Sequence, residues 1–531
     1  MPGLILDRHG RPMPPPPAAM SIMPPALRSY VAGELTGANQ QFRPRPRSAD
    51  AELKKGLRTI LGRCRDQGRN NPTIAGAIRR IVNNTVRAGI HPQFQFKASD
   101  GHADSKTNRA WELLFNRWAR YADTRGKKSL WKIQRLTLSS MWTDGECYIH
   151  RTYDDSIPGI PPLRLEMLER DHLDLTVDGE LANGHVARQG KELDPATGQV
   201  VAYHLHRHHP GDYQALRGRH LGESVRIPAS EIIDVWDQER ISQYHGVSWL
   251  AALVMEAYDL EEYRAYERIG AKLAAAFGLF IKSNYPDLGH PGIGLQQAPG
   301  QSTEPGWPQT WDEMPDYIEP GRIQSLPFGT DLVVASHNRP GTQYEPYVKE
   351  SRRTQSTGLG MSYEAYANDY TAASYSSVRS GSLEERLSYQ GMQMFLDEEV
   401  NQKVAAWFLE SCWLAGLNPV PMPDYRRNPW IYHEAVQPQN PGWSWVDPLK
   451  DGQAAKVKIA EAMSSRRREA AAAGVDWDEN LEELLEEERL LTPLYRLRAE
   501  NTRLLAQAEF ASGVLEDDDP PETPEAGDPN A

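Results

Sequence analysis

The run Asp369-Tyr370-Thr371-Ala372-Ala373-Ser374-Tyr375-Ser376-Ser377-Val378-Arg379 is crowded with hydroxyls and aromatic rings and ends in a base. It holds no Gly, Pro or Lys and only one acid. Upstream, residues 345–360 alternate charge with small side chains, and Gly358 and Gly360 supply helix-stop chemistry. Downstream, Ser382-Leu383-Glu384-Glu385 has the spacing of a capping box, in which serine and glutamate satisfy each other's orphan amides at a helix start. The stretch therefore reads as a polar, aromatic loop held between two helices. A plain connector is the common outcome of such chemistry. The rest of the chain decides whether this loop is placed to touch something.

Outward from the loop, the pattern is helical with interspersed strands. Leu250, Leu253, Val254, Ala257 and Tyr258 follow a helical stripe that opens a long helix over 250–281. A second helix is predicted over 383–415, with Phe395, Leu396, Val400, Val404, Trp407, Phe408 and Cys412 on one face. Short alternating runs between Glu146 and His209 read as strands joined by turns such as Asp178-Gly179 and Thr197-Gly198. Residues 283–312 are rich in Pro, Gly, Ser and Gln and read as an exposed excursion, with short strands expected near 318–326 and 332–335. Two last helices are expected over 451–472 and 477–510, the second started by Asp476 with Glu479 three residues on. Helices mixed with antiparallel strands, without repeated strand–helix–strand units, make this an α+β chain.

Composition narrows the function. With 25% charged and 39% hydrophobic residues the chain is of the folded class, and no apolar run approaches the ~20 residues that span a bilayer, so no membrane partner is expected. Pro14 to Pro17 interrupt any signal-peptide core. Cys64, Cys147 and Cys412 form no C-x-x-C pair, which disfavours a disulfide framework or structural zinc. A formal charge of −13 argues against tight wrapping of nucleic acid but permits loose enclosure of it.

Catalytic signatures are missing. There is no P-loop, no G-x-S-x-G elbow and no H-E-x-x-H. His204, His206 and His208 would share one face of a strand and could ligate zinc or nickel, yet three imidazoles on one strand rarely close a tetrahedron unaided, and the plainer reading is a solvated strand edge. Asp144-Gly145-Glu146 and Glu169-Arg170-Asp171 are compact acidic groups whose plainer reading is turn and strand-end carboxylates. Glu482 to Glu488 reads as a solvated or intersubunit helix face.

Taken in order, ten short segments resemble the lambda-type bacteriophage portal proteins. They begin with Arg69-Asn70-Asn71-Pro72 and Ile81-Val82-Asn83-Asn84, and pass through Gln134-Arg135-Leu136 and Asp144-Gly145-Glu146. Val201-Ala202-Tyr203-His204, Arg226-Ile227-Pro228 and Gly246-Val247-Ser248-Trp249-Leu250 follow. Gly360-Met361-Ser362-Tyr363-Glu364, Tyr375-Ser376-Ser377-Val378-Arg379-Ser380-Gly381 and Trp445-Val446-Asp447-Pro448 complete the series. His245 stands where the family more often has arginine, which leaves the role of a base there open.

The resemblance implies a non-enzymatic portal fold of wing, stem, clip and crown, without a cofactor. It implies a homo-oligomeric ring, typically of twelve subunits, at one capsid vertex of the virion, assembled in the host cytoplasm. Double-stranded DNA would pass through it, with terminase large subunit, head–tail connector, major capsid protein and scaffold as partners. Mapped on this chain, a Pro-rich arm takes 1–49 and the wing takes 50–250 and 382–450. Stem helices take 251–281 and 345–360, with the clip at 282–344 between them. The tunnel loop takes 361–381, the crown helices 451–515 and an acidic tail 516–531. The channel-lining residues would be Arg352, Arg353, Asp369, Tyr370, Ser374, Tyr375, Ser376, Ser377 and Arg379. The bases would meet phosphates or pair with acids, and the tyrosines would face DNA or the next subunit. The rival readings are another head–tail structural protein, disfavoured by the length, and a magnesium-dependent DNA-processing enzyme, disfavoured by the missing nucleotide loop.

Overall fold

The computed structural model describes residues 46–97, 101, 104–212, 224–276, 280–283, 330–333, 341–443 and 447–512. The expected arm before residue 46, most of the clip and the acidic tail lie outside these residues. The described part of 1–55 and residues 240–243 form one small unit, in which Ser242 Oγ accepts from Ala49 N (3.2 Å) and Arg240 pairs with Glu52 (2.7 Å). The remainder of the described chain is a second unit.

Helix α1 (Ala49–Asn70) ends where Asn71 caps α2 (Pro72–Val86). Asn71 Oδ1 accepts from the amides of Thr73 (3.1 Å) and Ile74 (3.4 Å), and Pro72 sits where a missing N–H costs nothing. Strand β1 (His91–Phe94), α3 (Ser105–Ala119) and α4 (Leu130–Thr143) follow. The aromatic stripe of α3 meets Phe408 from far along the chain, with ring centroids 4.8 Å from Phe115 and 5.2 Å from Trp118. These rings are fully buried, and together with Ile74, Ile81, Ile133 and Leu138 they make the centre of the main core.

Two antiparallel sheets come next. β2 (Glu146–Tyr153), β3 (Leu163–Glu169), β4 (Gly179–Glu180), β5 (Val186–Arg188), β6 (Lys191–Leu193), β7 (Val200–His206), β8 (Ser224–Pro228) and β9 (Ile232–Trp236) sort into orders β3-β2-β9 and β4-β5-β6-β7-β8. Tyr148 of β2 packs on Tyr203 of β7 at 5.7 Å, within a smaller core of Leu168, Leu173, Leu205 and Ile232. Every ladder between named strands is antiparallel, so the mixed helix-and-strand reading stands as an α+β fold.

The Asp144-Gly145-Glu146 and Gly246-Val247-Ser248 segments interlock. Gly145 has φ +74°, and a Cβ there would lie 2.1 Å from the Val247 carbonyl carbon; one on Gly246 would lie 1.9 Å from Gly145 O. Only two residues without side chains let these backbones meet. Ser248 Oγ then donates to Trp142 O (2.6 Å), and Trp249 stacks edge-on against Trp142.

Helix α5 (Val254–Ala276) starts four residues later than the periodicity suggests, because Leu250 and Leu253 are buried in preceding turns rather than helix. β10 (Phe280–Ser283) pairs with β11 (Thr330–Val333), and α6 (Tyr344–Gly358) stops at Leu359, with Gly360 at φ +64°. α7 (Tyr363–Ala367) is one short helix, and α8 (Tyr375–Leu396) continues through a π-turn at Asp397–Asn401 into α9 (Gln402–Ala415). After α10 (Trp430–His433), β12 (Val436–Gln439) pairs with β1. α11 (Pro448–Ala460), α12 (Arg466–Ala472) and α13 (Trp477–Ser512) close the described chain. The single helix expected over 451–472 is two, because Ala462 turns to φ +56° and Ser465 caps a new start. Asp476 opens α13 as expected, accepting from the amides of Asp478 and Glu479. Among the described residues no helix is long and apolar enough to cross a membrane.

Candidate nucleic-acid interface

The polar aromatic loop is shorter than its chemistry suggests. α8 begins at Tyr375, eight residues before Leu383, and only residues 368–374 between α7 and α8 are non-helical. The capping box is Ser374 with Ser377: Ser377 N donates to Ser374 Oγ (3.2 Å) and Ser374 N donates to Ser377 Oγ (3.0 Å). The expected pair Ser382 and Glu385 sits inside the helix. Glu385 instead accepts from the Ser362 amide (2.8 Å) and hydroxyl, tying α8 to the cap of α7. A serine-rich turn earlier in the chain offered a competing cap, and tertiary pairing of Glu385 removed its rival.

The remaining expected residues divide into satisfied and open ones. Asp369 takes Thr371 N (3.2 Å) and Oγ1 (2.6 Å) on one oxygen and Tyr363 OH (3.0 Å) on the other. These bonds hold its carboxyl below the usual range, the Thr371 hydroxyl contributing most. Arg379 pairs with Asp451 at the start of α11 (2.8 Å). Arg353 reaches Glu350 only at 3.5 Å. Arg352 is half-buried, and its Nε has no hydrogen-bond partner among the described residues. Tyr370, Tyr375 and Ser376 are exposed, Tyr375 by 62%. The structure thus brings Arg352, Arg353 and Asp369 together around Tyr363, while Arg379 lies between Tyr375 and Asp451 where α8 meets α11.

The acidic groups and histidines seen in the sequence serve the β-sheets. Arg65 bridges Asp144 (2.7 Å), Asp171 (2.6 Å) and Glu169 (3.3 Å). Glu146, fully buried, faces Lys191 (2.7 Å) and Arg170 (3.1 Å), which hold it well below its ordinary value despite burial. Lys191 also reaches Asp234 at 2.5 Å. Asp234 is raised, burial outweighing the lysine it shares with Glu146. His245 lies 1% exposed beside Glu146, and burial keeps it below the usual histidine range; Arg170 and Lys191 provide the positive charge there. His204 and His206 face Glu192 (3.3 Å) and Asp174 (3.7 Å), and His208 lies beyond the end of β7. Nothing in one sequence showed that Lys191, an ordinary strand residue by pattern, closes this network.

Glu169, Asp171 and His209 have ligand atoms within 4.8 Å of one another. His209 Nδ1 accepts from the Gly211 amide (3.0 Å), and its Nε2 faces Glu169 at 3.4 Å and Asp171 at 3.8 Å. With Arg65 already between the acids, the group has the chemistry of an ion-pair cluster rather than a metal centre.

Comparison with known proteins places this architecture. Residues 36–393 match the family described as phage portal protein, lambda family, a span that includes every channel candidate named above. The probable portal protein of Halomonas phage phiHAP-1 is 28% identical over 452 residues, covering 84% of this chain and 83% of the relative. The portal protein of Escherichia phage N15 is 21% identical and portal protein B of Escherichia phage lambda is 20% identical, each covering 86% of this chain and 89% of the relative. Among solved structures, the neck of an empty gene transfer agent particle, computed with C6 symmetry, aligns with a TM-score of 0.47 at 14% identity over 79% of this chain and 94% of that one. The neck of a native particle, computed with C12 symmetry, aligns at 0.44 and 13% over 81% and 95%. The family match spans well over half of the residues, and on that ground the chain belongs to the lambda family of phage portal proteins.

Proposed function

We propose that this portal protein forms a ring, of twelve subunits by family habit, at one vertex of the capsid, and that double-stranded DNA enters and leaves through it. The observation that carries the reading is the family match through residue 393, which runs across both helices flanking the 368–374 turn. In this reading α5 and α6 are the stem, and residues 361–381 face the channel. The wing takes 50–250 and 382–450, the clip 282–344 and the crown helices 451–515. Arg352, Arg353, Asp369, Tyr370, Ser374, Tyr375, Ser376 and Ser377 are proposed to line the bore, with Arg379 set back by its pairing to Asp451. A net charge of −13 supports a conduit, because DNA that must slide is served by few tight phosphate contacts.

The protein acts as a structural element of the virion, assembled in the host cytoplasm. Terminase large subunit, head–tail connector, major capsid protein and scaffold are its proposed partners. Exposed apolar stripes support a ring. Met255, Tyr258, Tyr266 and Ile269 on α5, and Leu383, Leu387 and Met394 on α8, are 45% to 65% open to solvent in one chain. Two different stripes on one subunit suit a head-to-tail interface, which closes into a ring when the rotation permits. Native mass measurement of the full-length protein tests the reading: closed rings are expected, and a monomer under all assembly conditions refutes it. Replacing the exposed Tyr375 and Ser376 by Ala should leave rings intact and lower packaging or genome retention. Loss of rings in that variant would make the turn an assembly element instead.

A further inference from the structure

Lys349 and Arg353 lie one helical turn apart on α6, and both sit over the ring of Tyr363, 5.7 Å and 5.6 Å from its centroid. Like charges at this spacing repel along a helix. Here the electron-rich face of the ring offsets that repulsion without neutralising either charge. Tyr363 is itself fixed by its hydroxyl, which donates to Asp369 Oδ2 (3.0 Å). Among the described residues the nearby acids make no close ion pair with these cations. Asp369 accepts from Tyr363 and Thr371 and keeps its negative charge, which lies within coulombic reach of Lys349. Glu350 meets Arg353 at 3.5 Å with side chains 71% and 56% exposed, a geometry of small net worth. Arg352 adds a third positive charge within coulombic reach of Tyr363, with its Nε unpartnered among the described residues.

We infer that Lys349 and Arg353, stacked on Tyr363, are the contact for the phosphate oxygens of duplex DNA, and that Asp369 sets their position through the tyrosine. The inference rests on the channel reading above. It moves the phosphate contact from Arg379, whose charge is met by Asp451 at 2.8 Å, to Lys349, which the sequence did not single out. In a chain of net charge −13, positive groups held in place with no ion pair closer than 3.5 Å among the described residues are where a passing polyanion is met. The contact is to backbone and is blind to base sequence, as a conduit requires.

The test uses full-length rings, verified by native mass, and a labelled duplex of about 30 bp followed by fluorescence anisotropy from about 50 to 200 mM salt. Lys349→Gln and Arg353→Gln should each flatten the slope of log affinity against log salt by about 0.9 for every phosphate the ring no longer neutralises, a roughly three- to fourfold effect across this range. The double variant should flatten it further, and Arg379→Gln should leave it at the parental value. Tyr363→Phe, which loses the bond to Asp369, should move part of the way towards the double variant, and Tyr363→Leu, which also loses the ring, should move further. Parental slopes in intact Lys349 and Arg353 variant rings overturn the inference, as does an equal effect of Arg379→Gln. Rings lost only in those variants mean that the cations pair with a neighbouring subunit, which also overturns it. Parental rings that bind no duplex at the lowest salt overturn the phosphate contact but not the ring, and a parent without rings overturns the portal reading itself.

Discussion

Replacing Lys191 by Met probes the charge network that joins the two β-sheets. Lys191 is fully buried, with Glu146 Oε1 at 2.7 Å and Asp234 Oδ2 at 2.5 Å, and it lies 5.0 Å from the centroid of the Trp236 ring. Methionine matches its length and fills the space between the aromatic rings, so the cavity contribution is small. Glu146 keeps Arg170 at 3.1 Å, and the group left without a cation is Asp234. Removing one partner of a buried pair costs about 3–5 kcal/mol. With an unfolding entropy of about 2.1 cal/mol/K per residue, a unit of several hundred residues shifts by about 1 °C per kcal/mol, so the midpoint of thermal unfolding should fall by about 3–5 °C.

The loss should also depend on pH. Burial already holds the Asp234 carboxyl above its ordinary value, and losing Lys191 raises it further. A carboxyl whose folded pKa exceeds its unfolded one binds more protons when folded, so stability falls as pH rises through that window and returns as pH falls. The variant should therefore lose less at about pH 5 than at about pH 7.5. Asp234→Asn added to Lys191→Met should recover much of the loss by removing the stranded charge. Urea titration followed by circular dichroism at both pH values checks this. A loss below about 1 kcal/mol, equal losses at the two pH values, or no recovery in the double variant would refute the reasoning.

Other outcomes follow from local geometry. Ser374→Ala removes the cap of α8 and should cost about 1 kcal/mol, with faster amide hydrogen exchange over residues 375–380, while Ser376→Ala should leave exchange there at the parental rate. Gly145→Ala drives a methyl to 2.1 Å from the Val247 carbonyl carbon at a φ of +74°, so soluble expression should yield little folded protein by near-ultraviolet dichroism. The Arg379–Asp451 pair is 30% and 25% exposed, and a double-mutant cycle with Arg379→Gln and Asp451→Asn should return a coupling of about 0.5–1 kcal/mol that shrinks at high salt.

Amphipathic spacing and turn chemistry, both written in near neighbours, determined which segments are helices and strands. The stripe of Val404, Phe408 and Cys412 on α9, the cap at Asp476 and the Thr197-Gly198 turn between β6 and β7 are legible because each depends on residues a few positions apart, whereas Asp178-Gly179 is no turn, since Gly179 opens β4. Family membership was legible for a related reason: Asn71-Pro72, Gly145 and Gly246 hold backbone geometry that few residue types satisfy. The start of α8 was not legible, because two capping sequences eight residues apart competed and the outcome turned on Glu385 bonding Ser362, twenty-three positions away. The partners of single charged groups were beyond the sequence for the same cause. Whether an arginine is neutralised, as Arg379 is by Asp451, or held charged over a ring, as Arg353 is over Tyr363, depends on distances of a few ångströms between distant parts of the chain. Coulombic and cation–aromatic energies change steeply over that range. Tertiary structure alone decided them.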